Sequence, residues 1–152
     1  MKYWLMKSEP DVFSIDDLAQ KKQSLWDGVR NYQARNYMTT DMQVGDEILF
    51  YHSSAEPPGV AGLARVVAAA APDPSQFDKK SEYFDKKATK AKPIWFGVTV
   101  GFLEKFPAVV ELNRLRAEPA LKDMLLLKKG QRLSIQPVSQ VEFTHIVGLA
   151  VK

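Results

Sequence analysis

The order of apolar and polar positions sets out a chain of short elements. Tyr3 to Lys7 is aromatic and apolar and is stopped by Glu9-Pro10, which predicts a short strand. Ser14 followed by Asp17 is a capping-box start, and Ile15, Leu18 and Ala19 form the buried stripe of a first helix. Asp27-Gly28 signals a turn, and Asn31 caps a short helix running to about Met38. After a turn at Val44-Gly45-Asp46, Glu47 to Ser53 reads as a strand. Its Ile48, Phe50 and His52 share one face, and Leu49 and Tyr51 the other. Val60 to Ala70 is a strand of small and branched residues, though the run Ala68 to Ala71 also suits a helix. Ile94 to Leu103 alternates most clearly, with Gly97 and Gly101 marking sharp curvature or close backbone approach. Two short helical turns follow around Pro119, then a last strand over Leu133 to Pro137. The capping box Ser139-Gln140-Val141-Glu142 opens a terminal helix with Phe143, Ile146, Val147 and Ala150 on one side.

Strict strand–helix alternation is missing, so a doubly wound sheet does not fit. The pattern predicts an α+β fold: a small mixed β-barrel with short helices packed around it. At 152 residues the chain suits a single domain over 1–152 with a core of its own. Pro72 to Pro93 is a long polar connection, of the kind that is usually functional or disordered. Inside it Phe77-Asp78-Lys79-Lys80 recurs as Phe84-Asp85-Lys86-Lys87.

Charge and composition narrow the chemistry. Lys and Arg number 21 against 18 acidic residues, a net charge of +3 that is compatible with a polyanion partner without requiring one. There is no cysteine, which removes disulfides, thiolate nucleophiles and cysteine-held metals. The opening residues are too soon interrupted by charge for a signal peptide, and no apolar run approaches a membrane span of roughly 20 residues. A soluble cytoplasmic protein is expected, with nucleoid or nuclear residence also compatible, no membrane partner, and a monomer favoured. The two histidines stand far apart, and neither HExxH nor the phosphate-loop and dinucleotide fingerprints occur. No metal and no cofactor are expected.

Two segments carry candidate chemistry. Trp26, Arg30, Asn31, Tyr32, Arg35 and Asn36 fall within a short span. An aromatic wall stacks on a flat base, an amide offers donor and acceptor to a base edge, and arginine holds phosphate or stacks. Read as composition alone, the same residues also serve as core anchors and surface charge. The long connection interleaves Lys79, Lys80, Lys86, Lys87, Lys90 and Lys92 with Phe77, Tyr83 and Phe84, a pattern that suits tracking a phosphate backbone but is more simply read as a solvated loop with aromatic tethers. Asp78, Glu82 and Asp85 dilute that charge.

The string Tyr3-Trp4-Leu5-Met6-Lys7-Ser8-Glu9-Pro10 resembles the opening of EVE-domain proteins. So does the segment from Trp26 to Asn36 (WDGVRNYQARN), as do Phe50-Tyr51-His52-Ser53, Gly59-Val60-Ala61-Gly62 and Arg132-Leu133-Ser134-Ile135-Gln136-Pro137-Val138. The resemblance runs from end to end. It implies a PUA-like β-barrel related to YTH and ASCH domains, and binding of a modified base in nucleic acid. Modified cytosine in DNA is the leading case, with RNA a second partner, and no known reaction is implied. Carried over by position, the base pocket takes Lys7 and Ser8 from the first strand and Trp26, Arg30, Asn31, Tyr32, Arg35 and Asn36 from the central motif. It takes Tyr51, His52 and Ser53 from the next strand, and Arg132, Ser134 and Gln136 from the last. Lys7-Ser8 and Trp26 resemble the Lys-Ser and first cage tryptophan of YTH domains, while Tyr32, Tyr51 and Trp95 remain alternatives for a second wall. The expected mechanism is capture of one extruded base by stacking on Trp26 and by hydrogen bonds at its edge. A hydrolase or other enzyme acting on a modified nucleotide, and a sensor of a free modified nucleoside, stay open as alternatives. No nucleophile–base pair is evident for the first of these.

Overall fold

The computed structural model describes residues 1–150. In chain order the elements are β1 (Tyr3–Ser8), α1 (Ile15–Lys21), β2 (Gln23–Leu25), α2 (Tyr32–Asn36), β3 (Glu47–His52), β4 (Gly59–Pro72), β5 (Phe96–Glu111), α3 (Leu112–Arg116), β6 (Ile135–Val138) and α4 (Gln140–Ala150). A π-turn at Tyr37–Asp41 and 3-10 turns at Pro74–Phe77, Pro119–Leu121 and Leu125–Leu127 complete them. Among the described residues no helix is long and apolar enough to cross a membrane.

The α+β class holds, but the expected barrel does not. The six strands form one sheet in the order β2-β5-β4-β3-β1-β6, with β1 and β3 parallel and every other pair antiparallel. The outermost strands, β2 and β6, have three and four residues and do not pair with each other, so the sheet stays open. Closure needs edge strands long enough to hydrogen-bond across the seam. The sheet is nevertheless bent, because register shifts interrupt the long β4–β5 ladder at four places.

Strand alternation divides the core in two. Trp4, Met6, Ile48 and Phe50 point to one face, where Ile15 and Leu18 of α1 and the indole of Trp26 cover them. Leu5, Leu49 and Tyr51 point to the other, beneath Phe143, Ile146 and Leu149 of α4. Burying each large apolar side chain stabilises the fold by roughly 1.5–3 kcal/mol. Both capping boxes form. Ser14 Oγ accepts from Asp17 N–H while Asp17 accepts from Ser14 N–H, and Ser139 and Glu142 do the same for α4. The alanine run continues β4, since Ala68 and Ala71 pair with Thr99 and Gly97 of β5. The last strand begins at Ile135 instead of Leu133.

Candidate nucleic-acid interface

A cavity of about 480 Å³ opens beside Trp26 on the first of these faces. That is within the range of small-ligand sites, about 300–1,000 Å³. Lys7 and Ser8 reach it from the end of β1, Val12 and Phe13 from the turn that follows, and Ser24 and Leu25 from β2. Trp26 to Arg30 form its longest wall, and Tyr83 and Ser134 close the rim. Trp26 does two jobs. It is only 8% exposed and packs edge-on against Phe13 and Phe50, so it is a core anchor. It also lines the hollow, and among the described residues its indole N–H has no hydrogen-bond partner.

The backbone brings Trp26 to this position through two glycines. At Gly97 a Cβ would lie 2.1 Å from the Trp26 carbonyl oxygen, so only glycine lets β5 approach the loop so closely. Gly28 has φ of +77° and its Cα packs against the Tyr83 ring, where a Cβ would meet Cε2 at 2.9 Å.

The wall is held by a hydrogen-bonded hub. Asp73, with its side chain fully buried, accepts from Gly28 N–H at 2.8 Å, Arg30 Nη1 at 3.1 Å, Ser75 N–H at 2.8 Å and Ser75 Oγ at 2.6 Å. Burial pushes its carboxyl up, but these donors outweigh burial and hold it below the usual carboxylate range. Arg30 uses all five of its N–H groups: Nε and Nη2 grip the Tyr83 carbonyl, Nη2 also meets Ser75 Oγ, and Nη1 meets Val29 O and Asp73. Arg30 is therefore a clamp between the Trp26 loop and the long connection, with no donor left for a phosphate.

Lys7, Glu9, Lys21, Asp27 and Arg30 carry the charge around the cavity, and of these Arg30 is paired, with Asp73. Lys7 is half-buried, and desolvation lowers the pKa of its ammonium. Asp27 sits on the rim, where desolvation first and the charge of Asp73 second raise its carboxyl above the ordinary value. Among the described residues neither Lys7 nor Asp27 has an ion-pair partner.

The structure brings Lys7, Ser8, Trp26, Arg30 and Ser134 together and places the other expected residues elsewhere. Asn31 Oδ1 caps α2 by accepting from Ala34 N–H at 2.9 Å. Asn36 accepts from Arg35 Nε and Nη2, and Arg35 Nη1 reaches Ile94 O. Tyr32 stacks on Trp95 outside the cavity wall. Tyr51 is buried on the opposite face of the sheet because it is out of phase with Phe50. His52 Nε2 accepts from Ile15 N–H, and Ser53 N–H donates to Ser8 O. Arg132 stands off the wall, and Gln136 is buried with Nε2 on Leu133 O.

The lysine connection is ordered by its own acids. Asp78 accepts from Lys80 N–H and Asp85 from Lys87 N–H, both at 2.9 Å, so the repeated Phe-Asp-Lys-Lys is one turn used twice. Lys79, Lys80, Lys86 and Lys87 are left exposed. Gln76, fully buried, ties the segment down through Ile94 N–H, Trp95 N–H, Asp73 O and Trp95 O.

Known proteins share the sequence and the fold of this chain. The EVE domain profile matches residues 2–149. Human Thymocyte nuclear protein 1 is 43% identical over 169 residues, covering 99% of this chain and 74% of that protein. The chain belongs to the EVE domain family. A hypothetical protein from Leishmania major superposes on this EVE domain with a TM-score of 0.94 and 51% identity, covering 99% of this chain and 95% of that one. Human THYN1 protein, solved in complex with 5-methylcytosine containing DNA, superposes with a TM-score of 0.92 and 40% identity, covering 100% and 99%.

Sequence reasoning passed over Asp27, Asp73, Gln76 and Phe13 as site residues. Asp73-Pro74-Ser75 carries a visible cap signal, with Pro at the first helical position. Asp27 reads locally as a turn residue, and Gln76 has no local signature for its long-range bonds.

Proposed function

We propose that this EVE domain is a DNA-binding module that holds one extruded, modified base in the Trp26 cavity, with modified cytosine the leading case. The observation that carries the reading is the hollow itself, which sets an indole wall beside unpaired polar groups at a size suited to one heterocycle. The human relative bound to 5-methylcytosine DNA supports the choice of ligand. Such a ligand would place the protein with DNA, in a nucleoid or a nucleus.

Extruding a base costs a few kcal/mol. Stacking on Trp26 returns about 1–3 kcal/mol, so edge contacts must supply the rest. Once unpaired, cytosine needs an acceptor for its exocyclic amine and donors for its ring nitrogen and carbonyl. Asp27 is the acceptor at the rim, and Lys7, Ser134 and the indole N–H of Trp26 are the donors, because the Ser8 hydroxyl already donates to Phe13 O. Phe13, Val12 and Leu25 provide apolar surface for a methyl group. A methyl of that kind adds roughly 1–3 kcal/mol, or about 5- to 150-fold.

The test is fluorescence anisotropy with oligonucleotides that differ by one 5-methyl group, single- and double-stranded, with the free nucleoside as competitor. The expected result is a preference for the methylated strand in that range, an affinity for both strands that weakens with salt, and a loss of affinity for both in Asp27→Ala, which removes the acceptor for the amine. Equal affinity for strand and free nucleoside without salt dependence would favour a nucleoside sensor. Release of a base or nucleotide product would favour an enzyme.

A further inference from the structure

We propose that the exposed ring of Tyr32, backed by Trp95, is a second stacking seat that takes a base flanking the one held in the Trp26 cavity. The inference rests on the DNA-binding reading above and concerns a surface outside that cavity.

Tyr32 is 58% exposed although it belongs to an aromatic stack. Its ring centroid lies 4.8 Å from that of buried Trp95, at 31°. One face of Tyr32 is thus covered. The guanidinium of Arg35 lies 4.8 Å from the Tyr32 ring and 5.9 Å from the Trp95 ring. Were it on the outer face of Tyr32, it would stand from Trp95 at nearly twice the 4.8 Å separation. At 5.9 Å it lies to the side of the two-ring stack, and with Tyr32 58% exposed the ring keeps open surface on the side away from Trp95.

This seat is continuous with the cavity. Arg30 lines the cavity, and its guanidinium lies between the rings of Tyr83, at 5.3 Å, and Trp95, at 5.2 Å. From the cavity wall at Arg30 to Tyr32 is no farther than the 5.2 Å and 4.8 Å steps laid end to end. Stacked bases rise about 3.4 Å per nucleotide along a strand, so a close neighbour of the extruded base falls within reach. The seat is also rigid before binding. Asn31 caps the helix that Tyr32 opens, and Arg35 is held by Ile94 O and Asn36. Trp95 is held by Asp85 through its indole N–H. A fixed ring loses little freedom when a base lands on it. Extrusion robs the neighbouring bases of a stacking partner, and an open phenol face beside the cavity replaces one.

The packing alternative is that Tyr32 only shields Trp95. The experiment separates the two with Tyr32→Ala and Tyr32→Leu, the second retaining apolar cover over Trp95 without a π face. Both are titrated by anisotropy against a methylated and a plain oligonucleotide, and against versions abasic at either flanking position. The expected result is a loss of about 5- to 100-fold for both variants on both oligonucleotides, with the methylated-to-plain ratio unchanged. An abasic flank should reproduce that loss in the wild type on one side of the target and add nothing to it in the variants. Tyr32→Leu binding like wild type, or losses that simply multiply with an abasic flank, would overturn the proposal. A wild type without methyl preference would count against the cavity reading alone, because the coupling between Tyr32 and the flank is read independently of it.

Discussion

Arginine 30 looks from its sequence context like a phosphate ligand, and the structure makes it a clamp; replacing it with alanine distinguishes the two roles. The substitution removes five hydrogen bonds. The Tyr83 carbonyl is exposed and regains water, so its two bonds cost little. The charge-assisted bond to Asp73 matters more, because that carboxylate has no exposed side-chain surface. Breaking a buried pair outright costs about 3–5 kcal/mol. Asp73 retains Gly28 N–H, Ser75 N–H and Ser75 Oγ as donors, and Arg30 itself is 21% exposed, so water enters where it stood. The expected loss is therefore about 2–3 kcal/mol, close to one charge-assisted hydrogen bond. For a chain of this size that lowers Tm by about 4–12 °C. Urea titration measures the stability, and anisotropy at several salt concentrations measures DNA binding. Affinity should fall because the Gly28–Tyr83 wall loosens, while the salt slope stays that of the wild type. Arg30→Lys keeps the charge but lacks the five-donor fork, so it should repair only part of either loss. Unchanged stability together with a slope smaller by about 0.9 would mean that Arg30 meets a phosphate after all.

Neutralising Lys79, Lys80, Lys86 and Lys87 together, each to Gln, should flatten the salt slope by up to about 0.9 per phosphate met and leave methyl preference intact; a changed preference would show that this connection reads the base. Acid should destabilise the fold through His52. Burial first, and Lys105 less strongly, lower its pKa against the opposing pull of Asp16, while its Nε2 accepts from Ile15 N–H. The folded state therefore refuses a proton that the unfolded chain accepts below about pH 6.5, so this stability is present above that value and lost as pH falls through the folded pKa. Asp73, held low, adds a second loss at more acid pH, below the ordinary Asp value of about 3.9. Urea midpoints at pH 7.5 and 5.5 check the first step, and His52→Gln, which retains an acceptor for Ile15 N–H, should remove most of the slope between them. Equal slopes for the two proteins would rule His52 out as the source.

What the chain determines by itself is local. Capping boxes at Ser14 and Ser139, the Asn31 cap and the two-sided alternation of Ile48 to Tyr51 each follow from residues a few positions apart, where sterics and short hydrogen bonds act without a partner segment. The same alternation, taken one step further, already sends Tyr51 away from the Phe50 side on which Trp26 packs. The motif strings also carried the family, because long unbroken resemblance survives without any knowledge of contacts.

Tertiary structure decided the rest through pairs remote in sequence. Whether the sheet closes depends on the reach of β2 and β6, which pair with strands far along the chain. Whether an arginine is a clamp or a free charge depends on acceptors more than forty positions away, at Asp73 and Tyr83. Asp27 becomes a site residue only because β1, β2 and the long connection enclose the space beside it. A polar side chain looks the same in sequence whether it spends its hydrogen bonds on its own fold or keeps them for a ligand. Folding makes that choice, by placing or withholding the partner.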